Sequence, residues 1–285
     1  MSIPILTSAR DLLANYDAVF CDVWGVVHNG ATAYIEACGL LEAFRARGGA
    51  VILVTNAPRT EDVVAHVLDS KNVPRAAYDA IVSSGEIAAA HVARQGYDRV
   101  HHIGPDRDLD LFERLTAARV DLASAEAIIA TGLIDDHTET GEDYRERLRE
   151  PAARRLPFVC ANPDLVVDVG GTMLPCAGAI AEVYEDLGGP VVWAGKPHRP
   201  AYDLAQTRAD TGRGAPIDKA RILAIGDAIR TDIAGAGAYG IDALFIGQGI
   251  HREAVLRDGD LDPDAFETLV ADAPYKPVAG MASLR

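Results

Sequence analysis

Short apolar, β-rich runs alternate with helix-patterned segments along almost the whole chain. The runs are DAVFCD (17–22), AVILVT (50–55), DAIVS (79–83), RVHHIG (99–104), AIIAT (127–131), FVCAN (158–162), VVWAG (191–195), RILAIGD (221–227) and DALFIG (242–247). Between them lie segments such as YIEACGLLEAFRARGG, where Gly48 and Gly49 set a helix stop. Strands apolar at every position, alternating with helices, predict an α/β fold whose parallel sheet is covered on both faces. In such sheets the chemistry sits just past the C-terminal ends of the strands.

No repeat, low-complexity tract or Ser/Gly linker marks a boundary. The residues with chemical potential fall in the first 60 positions and after about residue 195. The stretch between has its own strand–helix alternation. The expectation is a core made of 1–96 and 190–285 with a second α/β domain, 97–189, inserted into it.

At 285 residues and 49% apolar composition the chain can bury a sizeable core. A net charge of −15 repels nucleic acid and anionic lipid, so neither is an expected partner. No apolar run approaches the roughly 20 residues that span a bilayer. The start, MSIPILTSARDLLANYD, lacks the features of a signal peptide. Cys21, Cys38, Cys160 and Cys176 show no zinc or redox spacing and read as small apolar residues in a reducing cytoplasm.

Four short pieces carry chemistry. Asp22 ends the first strand, just ahead of Gly25; an aspartate there could also merely cap a turn. In VTNAPR, Thr55 and Asn56 offer short polar groups to phosphate oxygens, although a helix-capping threonine reads the same way. In WAGKPHRP, Lys196 follows a strand and a glycine. The chain has four lysines against 23 arginines, so a compact ammonium here is less expected as generic surface charge. In IGDAIRTDI, Asp227 ends a strand and Asp232 begins the next helix, a pair that could hold Mg and its waters or cap a helix.

Taken together, the order Asp22, Thr55, Lys196, Asp227, Asp232 resembles the haloacid dehalogenase (HAD) superfamily of aspartate-nucleophile phosphatases. The phrases FVCANPD, LPCAGAIAEVYE, GKP and GDAIRTDIAGAGAYGIDALFIGQG resemble more narrowly its NagD-type branch, subfamily IIA. The resemblance covers nearly the whole chain. It implies a Rossmann-like core with an inserted α/β cap, and Mg-dependent hydrolysis of a small phosphorylated metabolite through an aspartyl-phosphate. Asp22 would then be nucleophile and metal ligand, with the backbone carbonyl of Trp24 and Asp227 as further ligands. Asp232 would bind the metal or orient its waters. Thr55, the amide of Asn56 and Lys196 would hold the phosphoryl group. Arg59 reads as a solvated helix-start arginine that could also reach substrate. Asn162 and Asp164, in the loop ANPDLVVDVGGTMLPCAG, are the expected specificity residues. Caps of this type often pair, so a homodimer is one outcome the resemblance raises.

One position departs from the pattern. Trp24 stands where this superfamily's phosphatases usually carry a second aspartate, the group that protonates the leaving group. An indole N–H cannot transfer a proton near neutral pH. General acid–base catalysis is typically worth 10²–10⁴-fold, about 3–5 kcal/mol of barrier. Three readings stay open: a substrate whose leaving group needs no proton, another donor, or a protein that binds phospho-metabolites without hydrolysing them. His28 is the nearest titratable candidate donor, though a lone histidine there reads first as a solvated turn residue.

Other signals are set aside. GAGAYG (235–240) falls inside or at the end of a helix, not between a strand and a helix start, so it is no dinucleotide fingerprint. His101 and His102, adjacent on a strand, point to opposite faces and suit no single metal.

Overall fold

The computed structural model describes residues 2–285. In chain order the strands are β1 (Ala18–Cys21), β2 (Ala50–Thr55), β3 (Ala80–Ser83), β4 (Arg99–Ile103), β5 (Ala118–Arg119), β6 (Ala127–Ala130), β7 (Phe158–Cys160), β8 (Val166–Val169), β9 (Thr172–Pro175), β10 (Val191–Trp193), β11 (Ile222–Gly226), β12 (Asp242–Ile246), β13 (Leu256–Arg257), β14 (Asp260–Leu261) and β15 (Ala279–Met281). Every strand expected from the apolar pattern is present. The six not expected are β5, the hairpins β8–β9 and β13–β14, and β15, each of two to four residues.

The chain divides into two compact units. The first holds the chain up to Thr55, Ala65–Val82 and Ala201–Arg285; the second holds Asn56–Val64 and Ser83–Pro200. Residues 56–64, 83–96 and 190–200, which the sequence pattern grouped with the core, belong by contact to the second unit. Their polar side chains account for this. Arg59 pairs with Asp108 and Asp110, Ser83 bonds the Arg59 carbonyl, and Asn56 bonds the Lys196 backbone.

The first unit is built on a six-stranded sheet ordered β15-β12-β11-β1-β2-β3. The pairings of β1 with β11 and β2, and of β12 with β11 and β15, are all parallel. β1 lies between β11 and β2, which is why its four residues are all apolar and buried. The helix Ile35–Ala46 buries Ala37, Cys38, Leu41 and Phe44 from one face. It ends where expected, at Gly48, whose φ of +92° an L side chain rarely adopts.

The second unit has its own parallel sheet, ordered β10-β7-β6-β4-β5. Apolar side chains cover both faces. One face packs Ile128, Phe158, Ile180, Leu148 and Tyr184 together, with Phe158 stacked on Tyr184 at 4.9 Å between centroids. The other packs Val92, Val100, Ile129 and Val159. Among the described residues no helix is long and apolar enough to cross a membrane. The four cysteines are buried and form no disulfide.

Candidate active site

Register places the carboxylates. β1 pairs with β11 so that Cys21 lies beside Ile225. One residue further on, Asp22 emerges from β1 and donates its amide to the Ile225 carbonyl at 2.8 Å. Asp227 leaves β11 at the same edge. The chain then makes a π turn, Ile229–Ile233, which brings Asp232 back toward the strand end. One ligand oxygen from each of Asp22, Asp227 and Asp232 lies within 4.8 Å of the others, and all three residues are buried.

Three buried carboxylates so close repel one another, and burial removes the water that would screen them. An all-oxygen donor set suits a hard divalent cation such as Mg or Ca. The site therefore fits the metal that the family resemblance implies.

Glycines and backbone amides hold these carboxylates in place. The Ile250 amide donates to Asp227 Oδ2 at 2.6 Å, and the Ala228 amide to Asp232 Oδ2 at 3.1 Å. A Cβ on Gly249 would lie 1.8 Å from Asp227 Oδ2, and one on Gly226 2.1 Å from Asp232 Cγ. Gly25, at φ +83°, leaves room for the same Asp227 oxygen. Of these glycines the sequence marks only Gly25, as a turn after Asp22; the collisions at Gly226 and Gly249 involve partners brought in by folding.

The loop after Asp22 folds back on itself. Gly25 donates its amide to the His28 carbonyl at 2.9 Å, and both Val27 and His28 donate to the Val23 carbonyl. The Trp24 ring is half-buried, edge-on to His28 with centroids 5.2 Å apart. It lies against Gly30, where a Cβ would be 2.5 Å from the indole. His28 is not the solvated turn residue expected from sequence: it is 2% exposed. Burial first, then Lys71, pushes its pKa down to about 4. Its Nδ1 accepts the Gly30 amide at 2.9 Å, so the neutral ring carries its proton on Nε2.

Thr55 ends β2 and is buried. In the second unit, Asn56 and Lys196 are bound to each other. Asn56 Oδ1 accepts the Lys196 amide at 2.8 Å, while Asn56 Nδ2 donates to the Lys196 carbonyl at 3.0 Å and to Asp164 Oδ1 at 2.9 Å. Gly195 permits this, since a Cβ there would be 2.5 Å from Asn56 Oδ1. Asn162 Oδ1 accepts the Asp164 amide at 3.2 Å. Arg59 is not a solvated residue: it donates to Asp110 at 2.9 Å and to buried Asp108 at 3.2 Å. Burial raises the Asp108 pKa, against the opposing pull of Arg59.

His101 and His102 are separated as expected. His101 bonds the Val120 carbonyl, and His102 the Thr131 hydroxyl. GAGAYG lies in the helix Ala234–Tyr239, closed by Gly240 in the left-handed conformation.

A cluster of three aspartates thus lies at the C-terminal edge of the first unit's parallel sheet, and sequence comparison shows the family. Residues 19–117 match the family described as haloacid dehalogenase-like hydrolase, and residues 193–273 one described as HAD-hydrolase-like. A hydrolase of the haloacid dehalogenase-like family from Brucella suis 1330 is 42% identical, with 98% of this chain and 99% of that one covered and a TM-score of 0.85. The chain belongs to the haloacid dehalogenase-like family of hydrolases. NagD from E. coli K-12 shares the fold at 20% identity and a TM-score of 0.69, over 94% of this chain and 96% of that one. The glycerol phosphate phosphatase Rv1692 from Mycobacterium tuberculosis, solved with magnesium, does so at 22% identity and a TM-score of 0.67, over 97% of this chain and 76% of that one. A comparison with curated protein sequences gave no match.

Proposed function

We propose that the protein is a Mg-dependent phosphatase acting on small phosphomonoesters, such as sugar or glycerol phosphates, in the cytoplasm. The convergence of Asp22, Asp227 and Asp232 carries this reading. The magnesium-bound glycerol phosphate phosphatase of the same fold supports both the ion and the substrate class. Four buried thiols outside any disulfide suit a reducing compartment.

Asp22, Asp227 and Asp232 would hold Mg, together with the Trp24 carbonyl that the family resemblance implies. The ion would offset the repulsion between an anionic nucleophile and an anionic phosphate. An Asp22 carboxylate oxygen attacks phosphorus, the bond to the leaving oxygen breaks, and an aspartyl-phosphate forms. Thr55 and the Asn56 amide hold the phosphoryl oxygens, and the Lys196 ammonium offsets their charge. Water then attacks phosphorus, releasing inorganic phosphate and restoring Asp22. Asn162 and Asp164, with Arg59, belong to the unit that contributes specificity.

The weak point of the sequence is the proton. Trp24 cannot give one, and His28, neutral and with Nδ1 occupied, is poorly suited to shuttle one. Turnover is therefore fast for leaving groups that depart as stable anions and slow for alkyl phosphates. The test is phosphate release from p-nitrophenyl phosphate, acetyl phosphate and glycerol phosphate, with and without Mg. Mg-dependent release in the first two supports the reading. Release from none, with inorganic phosphate still bound, would make the protein a phospho-metabolite binder instead.

A further inference from the structure

The Asn56 side chain has one amide oxygen and two amide hydrogens, and the second unit uses all three. The oxygen takes the Lys196 N–H, and the two hydrogens go to the Lys196 carbonyl and to Asp164 Oδ1. Both backbone polar groups of Lys196 are thus gripped by one planar amide. An amide rotated by half a turn would set N–H against the Lys196 N–H. Asp164 Oδ1, as an acceptor for Nδ2, further selects the observed orientation. The grip is closed in by Gly195, where a Cβ would meet Asn56 Oδ1, Ser84 Oγ at 2.6 Å and Pro163 Cδ at 3.0 Å. Asp164 is in turn held by its own loop: its amide bonds Asn162 Oδ1, and its carbonyl accepts the Gly178 amide at 3.2 Å. Lys196 itself is buried, 4% exposed, so its position is set by this frame rather than by solvent.

We infer that Asp164 is a positioning residue for Lys196, acting through the Asn56 amide, and not a residue that selects the substrate by touching it. The inference rests on the phosphatase reading for the importance of Lys196, but not for the grip itself. It gives the ANPD loop a task independent of the leaving group. Loss of the Asp164 acceptor frees the Asn56 amide to turn, and the lysine that neutralises phosphoryl charge loses its fixed backbone. A misplacement of about 1 Å in such a group can cost on the order of 10²-fold in rate.

Two measurements on the full chain test this. The first is hydrogen exchange at the Lys196 amide. Asp164→Ala speeds it by about tenfold or more, while Asp164→Asn, which keeps an oxygen acceptor for Asn56, leaves it near wild type. The second is steady-state kinetics with p-nitrophenyl phosphate, acetyl phosphate and glycerol phosphate. Asp164→Ala lowers kcat roughly 10–100-fold by a similar factor on every substrate that turns over, and Asp164→Asn restores most of it. In a Lys196→Ala background the Asp164→Ala change adds little, because both act through the same group. Unchanged exchange at the Lys196 amide in a folded Asp164→Ala protein overturns the inference whatever the activity. So does a loss confined to one leaving group, or Asp164→Asn behaving like Asp164→Ala. If Lys196→Ala leaves both rate and inorganic-phosphate affinity unchanged, the phosphatase role of Lys196 fails, and the exchange experiment still decides the grip.

Discussion

Gly249 and Asp227 are packed so closely that a single methyl group on the glycine would fall 1.8 Å from the aspartate's Oδ2. The next residue, Ile250, donates its amide to that same oxygen. Gly249→Ala must therefore push Asp227 out of the carboxylate cluster. The expected result is a Mg requirement raised at least tenfold with a folded protein, close to the effect of Asp227→Ala. Activity titrated against Mg checks it; an unchanged half-saturating concentration would separate Asp227 from the metal.

Asp22→Asn should abolish turnover, leaving less than about one part in 10³ of the wild-type rate, while the fold persists. Asp22 emerges directly from the end of β1 into the carboxylate cluster. Trapping with beryllofluoride should place the mimic on Asp22. Near wild-type activity in this variant would remove the covalent mechanism altogether.

On the proposed phosphatase reading, Lys196→Ala should weaken inorganic-phosphate binding and slow turnover together, each by roughly 10-fold or more, because the ammonium proposed to offset phosphoryl charge is lost. Calorimetric phosphate titration alongside kinetics reads both. A change in neither would reduce Lys196 to a structural role.

Trp24→Asp should raise kcat/KM for alkyl phosphates selectively over p-nitrophenyl phosphate. The gain should fall short of the 10²–10⁴-fold typical of general acid catalysis, because the surroundings suit an indole. The ring also packs on Gly30 and His28, so a stability loss of about 1–3 kcal/mol accompanies the change. The alkyl-to-aryl ratio, with folding followed by calorimetry, is the measurement. An unchanged ratio in a folded, Mg-dependent mutant means the proton comes from elsewhere.

Acid should weaken the second unit through His102. Burial first, then Arg119 and His101, lowers its pKa from 6.5 to about 4, with Asp106 pulling the other way. The unfolded chain takes up this proton near pH 6.5, and the folded protein only near pH 4. Stability is therefore full above pH 6.5 and declines as the pH falls toward 4, by about 1–2 kcal/mol after allowance for solvent screening. His102→Gln, whose amide can still meet Thr131, should flatten this part of the pH–stability curve. Denaturant unfolding at pH 7.5 and 4.5 tests it, and an equal loss in mutant and wild type would exclude His102.

Much of the fold was legible because buried parallel strands must be apolar at every position. AVILVT and RILAIG could hardly be anything else. Asp22 and Asp227 were legible for a related reason: a carboxylate directly after such a run has to lie at the sheet's edge, whereas Asp232 was read from its place at the start of the next helix. What the sequence hid depends on partners far along the chain. Gly249 reads as an ordinary loop glycine until Asp227 is seen against it. Arg59 reads as solvated until Asp108 and Asp110, some fifty residues on, are found paired with it. His28 was misread for the same reason, since its burial comes from a loop closing over it. Asn56 was read for its backbone amide, and its side-chain grip on Lys196 spans 140 positions.

The pairing of β1 with β11 joins residues 18–21 to residues 222–225. This has a consequence for how the protein is made. As the chain leaves the ribosome, Asp22 emerges early on a strand that still lacks one of its two sheet neighbours. The strand stays incomplete until the residues beyond 226 are released. The second unit lies mostly in the stretch 83–200, all of which has emerged by then. The second unit is thus free to fold during synthesis, while the unit that carries Asp22 waits with apolar strand edges exposed. Truncation before β11 should accordingly give an aggregation-prone chain rather than a smaller folded protein. Late assembly also keeps the three carboxylates apart until the moment their common strand ends come together.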